Sequence, residues 1–577
     1  MSMIYELADD TVTLDGPLYG LPPADHIDPI FHDTSVLGIG LQVHSSQSAS
    51  SDVKLLKTRA LWNARLPIHK LPPELLVDIL SRQPSYARPG PVFTSNKADC
   101  FRLALVCRRW RAVVKANPCF WRSINVGKDT RWLSLAMSRS GAARLHLNFS
   151  MTTAIISALP ELLDMRHQLG HLRLSCFDAL KLRTLEPLVC GPFPSLTQLE
   201  ICVDTWGRMY NQGQEPPADR ATFRFKPENC PELTKLSLRD VSIPWSTSLL
   251  AHLRSLNLRG CMVHSSTVSV AAFLDVLRCA QDLEDLTLHD LLPAVCSSRP
   301  GPSERLRAVT LPRLRQADLA DNVAWISLFI SHLQLPSQGS ICFSGFVDKK
   351  DLDDPFLTYR SMLPRDIDTF AFLHSTTSAR LHITDGMYCI TCKGAAGPTV
   401  ILSLLGRSFH VEWTQSVDAG VAHFVHLLRD APLTELDLVF DLENLEMNVF
   451  DALLDTFPQV QELRLRSTTI EDADVFPQCL CESLGSHNPA QLESAVRVRA
   501  PKLRTLRIEQ QGHSGGLFMD DLAWCVSTRA EEGAPRLELL AVTLRRSTAF
   551  DYREFDAHYG ALLVPAVDTY EFVDKEW

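Results

Sequence analysis

No run of about 18 apolar residues occurs in this chain. The longest candidate, residues 324–335, is short and broken by Ser and His, so no transmembrane helix is expected. Residues 1–53 contain no lysine or arginine. The opening MSMIYELADD is acidic at once and lacks the basic start and apolar centre of a secretory signal, and an Arg-rich transit peptide is not expected either. Regular cysteine spacing is also missing. The 16 cysteines read as reduced, mostly buried thiols of a cytoplasmic or nuclear protein rather than as a disulfide framework. No His-Glu-x-x-His, Gly-x-Ser-x-Gly or P-loop sequence is present, and Gly38 and Gly40 lack the third glycine of a phosphate-binding loop. Cys389 and Cys392 have zinc-ligand spacing, but no second pair stands at finger or ribbon distance, and a closed site needs four ligands. No enzyme, metal or cofactor is therefore expected.

What is present is a globular composition, with 45% apolar and 21% charged residues over 577 positions. That length implies several domains or a repeat array. The net charge of −10 is unevenly spread: residues 1–53 carry −8, residues 54–131 carry +12 and the remainder carries −14. A basic island between acidic stretches points to an acidic partner, either nucleic acid or an acidic protein. No recognised nucleic-acid module accompanies it.

Residues 1–60 combine Pro, Asp and Ser without sustained period and read as a disordered acidic tail. Residues 66–125 read as a helical module. Pro72 and Pro73 stand at a helix start, and Leu75, Leu76, Ile79 and Leu80 recur at helical spacing. After a turn-rich loop, FRLALVCRRWRAVVKA reads as one further helix with Leu103, Val106, Trp110 and Val113 on a single face. Asn117-Pro118 ends it.

Residues 140–577 carry a recurring Leu-x-x-Leu-x-Leu pattern. Nine copies begin at Leu196, Leu233, Leu253, Leu283, Leu314, Leu433, Val460, Leu503 and Leu537. Weaker copies lie near Leu145, Leu172 and Leu381. The pattern predicts a solenoid in which each copy supplies a short strand of a parallel sheet, with helices such as residues 273–279 on the other side. The 119-residue gap from Leu314 to Leu433 is expected to hold about three divergent copies.

The module LPPELLVDIL…LALVCRRWRAVV…FW resembles an F-box, carried by Leu71-Pro72, Glu74-Leu75-Leu76, Ile79-Leu80, Val106-Cys107, Trp110, Phe120 and Trp121. With the array behind it, the chain is similar to fungal F-box proteins with degenerate leucine-rich repeats. Its connection from Gln83 to Phe101 is longer than that family usually has. The resemblance implies an α/β fold, a helical hairpin followed by a horseshoe with the parallel sheet on its concave face. It further implies a non-catalytic substrate receptor of an SCF ubiquitin ligase. Leu71, Pro72, Leu75, Ile79, Leu80, Val106 and Trp110 would include the positions that contact a Skp-type adaptor, and through it cullin and RING subunits, together with those that pack the hairpin.

Strand alternation places candidate client-reading side chains opposite the buried leucines. These are Lys235, Ser237, Arg239, Ser255, Asn257 and Arg259, then Asp285, Thr287 and His289, and later Glu462, Arg464, Arg466, Arg507 and Glu509. The alternatives are a leucine-rich-repeat scaffold that does not engage the ligase, and a nucleic-acid-binding protein using residues 54–131.

Overall fold

The structure, a computed structural model, describes residues 49–81, 97–126, 131–149, 152–176, 184–203, 227–241, 250–261, 270–291, 306–335, 338–347, 359–363, 371–384, 386–395, 397–406, 417–441, 445–468, 483–484, 498–511, 515–545 and 552–575. It divides into two compact units. One runs to Ser123 and includes Leu135–Gly141; the other comprises Ile124–Ser134 and Ala142–Trp577.

The first unit is helical. It contains helices Ala49–Arg65, Pro67–Lys70, Pro73–Ser81, Lys97–Val106 and Arg108–Ala116 and a 3-10 turn Pro118–Phe120. Two sequence expectations are corrected here. The stretch read as an irregular tail to residue 60 is helical from Ala49, because residues 54–65 are rich in Leu, Lys, Ala and Arg, all good helix formers. The rest of that tail lies outside the described residues, as do residues 82–96 of the long connection. The run read as one helix across residues 101–116 is two. Cys107 is extended at φ −162°, and its Sγ accepts the Trp110 N–H at 3.4 Å as an N-cap. Arg111 Nε donates back to Ala104 O at 3.0 Å, satisfying the end of the preceding helix.

The core of this unit is Leu76, Leu80, Ala104, Val113, Val114, Phe120 and Trp121, all buried. Trp121 Nε1 donates to Val114 O at 2.6 Å, so the buried indole is satisfied. The Arg139 guanidinium lies 4.7 Å from the Trp121 ring centre.

The second unit is mixed α/β, built on one large, mostly parallel sheet. Its strands are β1 (Ser123–Val126), β2 (Leu145–Phe149), β3 (Leu169–Cys176), β4 (Gln198–Val203), β5 (Lys235–Arg239), β6 (Ser255–Arg259), β7 (Asp285–His289), β8 (Val309–Thr310), β9 (Gln316–Asn322), β10 (Leu333–Gln334) and β11 (Ser340–Val347). They continue as β12 (Thr376–Thr384), β13 (Met387–Gly394), β14 (Thr399–Gly406), β15 (Glu435–Phe440), β16 (Glu462–Ser467), β17 (Thr505–Gln511), β18 (Leu539–Arg545) and β19 (Tyr570–Lys575). From β2 to β7, then through β9 to β11, each strand is parallel to the one before it. The same holds from β15 to β19. The short strands β8 and β10 pair apart from this sheet.

All nine clear motif copies lie on these strands in matched register. Leu199, Leu236, Leu256 and Leu286 are lateral partners in sequence, as are Leu436, Leu463, Leu506 and Leu540. Their inward pairs are at most 3% exposed. The carbonyl just after the first anchor fixes the register. Thr234 O accepts both Arg254 N–H and Ser255 N–H, Arg254 O accepts Glu284 and Asp285, and Glu284 O accepts Arg315 and Gln316. The chain leaves β5, β6 and β7 through left-handed residues, Asp240 (φ 55°), Gly260 (φ 58°) and Asp290 (φ 50°), types that tolerate this region. Helices cover the buried face. Val270–Arg278 sets Phe273 against Phe329 of Val323–Ile330, with ring centres 5.8 Å apart.

The gap from Leu314 to Leu433 departs from the expected divergent parallel copies. After β11 the chain passes to β12, which lies beside β15, and returns antiparallel through β13 and β14 to pair with β11. Gly386, at φ 75°, makes the β12–β13 turn. Within this gap the stretch FVDKKDLDDPFLTYRSM, residues 346–362, reads in sequence as an excursion; its residues 348–358 lie outside the described residues, and Tyr359 and Met362 are buried.

Candidate functional site

Two surfaces carry the sequence-predicted residues. The first lies on the helical unit. Its helix Pro73–Ser81 buries Leu76 and Leu80 and leaves Leu75 (52%) and Ile79 exposed. Leu80, expected among the adaptor positions, is therefore a hairpin-packing residue. Leu71 is half-buried and Pro72 exposed. Leu71 is fastened through its carbonyl, which accepts from Arg109 Nη2. His69 Nε2 lies 3.6 Å from Cys107 Sγ. These two links hold the start of the hairpin against the Cys107–Arg109 turn, next to exposed Leu105 and Val106 (55%). Val106 thus leaves the apolar face it was expected to share with Trp110 and Val113, because the break at Cys107 turns the chain. Trp110 is half-buried, and its Nε1 is buried without a hydrogen-bond partner among the described residues. Seven of the thirteen exposed large apolar side chains described lie between residues 61 and 106, so apolar exposure is concentrated on this unit.

The second surface is the open face of the sheet. Lys235, Ser237 and Arg239 alternate with buried Leu236 and Leu238. Register aligns Ser237, Asn257 and Thr287 in one lateral row and Arg239, Arg259 and His289 in the next. Arg464 and Arg507 are neighbours on β16 and β17, and Arg466 stands two residues along β16. The two groups are not brought together. Six strands separate β7 from β16, roughly 34 Å at about 4.8 Å per strand step.

Most of these side chains already bond to neighbours. His289 Nε2 is 3.0 Å from Asp318 Oδ2, and Arg259 Nε donates to Asn257 Oδ1 at 3.1 Å. Arg466 holds Asp437 through two bonds, 2.6 and 3.3 Å, and Arg380 approaches the same carboxylate at 3.7 Å. Glu462 takes Arg464 at 2.7 Å and Arg507 at 3.4 Å. A third cluster gathers His171 (3.5 Å), Arg173 (3.4 Å) and Gln198 (2.5 Å) on Glu200.

Burial opposes ionisation of Asp318, but the His289 hydrogen bond and the nearby charges of His289 and Arg259 outweigh it and hold the carboxyl below its ordinary value. Burial likewise opposes ionisation of Glu200, and the bond from His171 with the Arg173 charge lowers it nonetheless. Burial, then the Asp318 charge, pushes the Cys342 thiol up to about 11. Asp318, Asp437, Glu200, Arg380 and Arg173 were missing from the sequence-derived set. The alternation that selected Asn257 and Thr287 also selects Asp318 and Asp437, each between two buried positions.

Cys389 and Cys392 sit three apart on β13, where odd spacing turns side chains to opposite faces. Cys392 is buried, and Cys389 Sγ accepts from Ser403 Oγ at 3.4 Å. Among the described residues no group of three or more His, Cys, Asp or Glu could hold a metal ion, and no helix is long and apolar enough to cross a membrane.

Residues 68–126 match the family model described as F-box-like. The chain thus carries an F-box-like region near its N-terminus. No curated protein matches the chain.

Proposed function

We propose that this protein is a substrate-recognition subunit of an SCF-type ubiquitin ligase. The observation that carries this reading is the exposure of Leu75, Ile79, Leu105 and Val106 within the F-box-like region, on helices that bury Leu76, Leu80, Cys100 and Ala104. F-box regions generally bind Skp-type adaptors, and burying these exposed aliphatic side chains against a partner would be favourable. Cullin and RING subunits follow through the adaptor. The basic balance of residues 54–131 favours rate and orientation of docking more than affinity.

The second unit, in this reading, is a degenerate leucine-rich-repeat solenoid of the fungal F-box kind, supported by the in-register Leu-x-Leu strands and the helices behind them. Its open face selects a protein client through Lys235, Ser237, Arg239, Asn257, Arg259, Thr287, His289, Arg464, Arg466 and Arg507. The protein is not itself a catalyst. It raises the effective concentration of client lysines near a charged conjugating enzyme, in the cytoplasm or nucleus.

The test is co-purification of the full chain with a Skp-type adaptor and a cullin scaffold. A ternary complex is expected. A wild-type chain that fails to retain the adaptor contradicts the reading.

A further inference from the structure

The most exposed large apolar side chains described lie outside the F-box-like match. Leu61 is 69% and Trp62 68% exposed, on the last turn of helix Ala49–Arg65. An exposed Trp beside an exposed Leu is costly to leave in water and is the residue type that anchors interfaces. Leu66 follows, also exposed, and its N–H donates to Asn63 O, which joins the helix end to helix Pro67–Lys70. His69 of that helix touches Cys107, beside exposed Val106. A series of exposed apolar residues therefore leads from Trp62 through Leu66 to the surface assigned above to the adaptor.

We propose that the adaptor-binding surface extends upstream of the F-box-like region, with Leu61 and Trp62 as additional anchors in an acid-rimmed apolar pocket of the same adaptor. This rests on the adaptor reading above. The choice of occupant follows from charge. Helix Ala49–Arg65 carries four bases and one acid, and Lys70 follows, so two copies of this helix repel one another, whereas an acidic partner is attracted.

The experiment measures affinity of the full chain for a Skp-type adaptor, comparing wild type, Leu61→Ser with Trp62→Ser, and Leu75→Asp. Both upstream positions are exposed, so the double variant keeps its melting temperature. It is expected to bind roughly 10- to 100-fold more weakly than wild type. A photo-crosslinker at position 62 should capture the adaptor. Unchanged affinity in the double variant, with loss in Leu75→Asp, overturns the extension and leaves the adaptor reading standing; absence of wild-type binding overturns the reading itself. Wild-type dimers that dissociate in the double variant, or binding to phosphatidylserine-containing vesicles lost in it, would assign Trp62 to a second copy or to a lipid surface and equally overturn the extension.

Discussion

The helical unit and the sheet unit use leucine in opposite ways. In the sheet unit the inward motif positions are at most 3% exposed, and the face opposite them is polar, with Arg, His, Asp and Glu paired to each other. In the helical unit adjacent leucines divide: Leu76 is fully buried while Leu75 is 52% exposed. A strand pairs in register with its neighbours, so its apolar side has one destination. A short helix in a small unit has an apolar stripe wider than the core it can reach, and the excess faces outward. Exposed apolar surface is therefore concentrated on the helices, where the proposed adaptor site lies, whereas the leucine motif of the sheet serves the core.

The largest effect that sharpens this contrast is truncation. Leu258→Ala, at a fully buried position, is expected to cost the sheet unit about 3 kcal/mol, read by denaturant unfolding. Leu75→Ala should stay within about 0.5 kcal/mol of wild type. Equal losses would break the comparison. Next comes the polar face. Asp437→Asn weakens the two hydrogen bonds donated by Arg466 and the approach of Arg380, and should cost about 1 kcal/mol at low salt, less at 1 M salt. No salt dependence would mean that these pairs contribute nothing to stability.

The smallest effect is in acid. Asp318 and Glu200 have lowered folded-state values, so the stability they lend is present above about pH 4 and is lost as pH falls through their folded values. The acid limb of stability against pH should flatten in Asp318→Asn. An unaltered limb would show that the His289–Asp318 pair does not contribute to it.

Much of this was legible from the sequence because period and position were tied to burial. Nine motif copies predicted nine strands, since Leu-x-Leu with a fixed first anchor has one way to sit in a parallel sheet. The antiparallel turn back through β12, β13 and β14 was missed, although Asp-Gly at 385–386, flanked by alternating Leu381, Ile383, Tyr388 and Ile390, is a hairpin signal. Leucine-motif matching has no means of weighing turn chemistry. The break at Cys107 was missed because a cysteine cap is a weak signal inside a strong helical run. Which adaptor-type residues pack and which stand free was also not readable. At helical spacing Leu75 and Leu76 are equivalent until the third element, here Arg108–Ala116, fixes which side is inside. Glu200, Asp318 and Asp437 alternate with buried residues just as Asp285, Glu462 and Glu509 do, but their pairing with cations of neighbouring strands depends on lateral register, which alternation within one strand does not carry.

The most direct test of the central contrast is one pair of adjacent substitutions, Leu75→Asp and Leu76→Asp, measured for adaptor affinity and thermal unfolding in the full chain. The result expected is that Leu75→Asp abolishes adaptor binding with unchanged unfolding, while Leu76→Asp unfolds the helical unit. A Leu75→Asp protein that binds the adaptor as tightly as wild type would contradict the account.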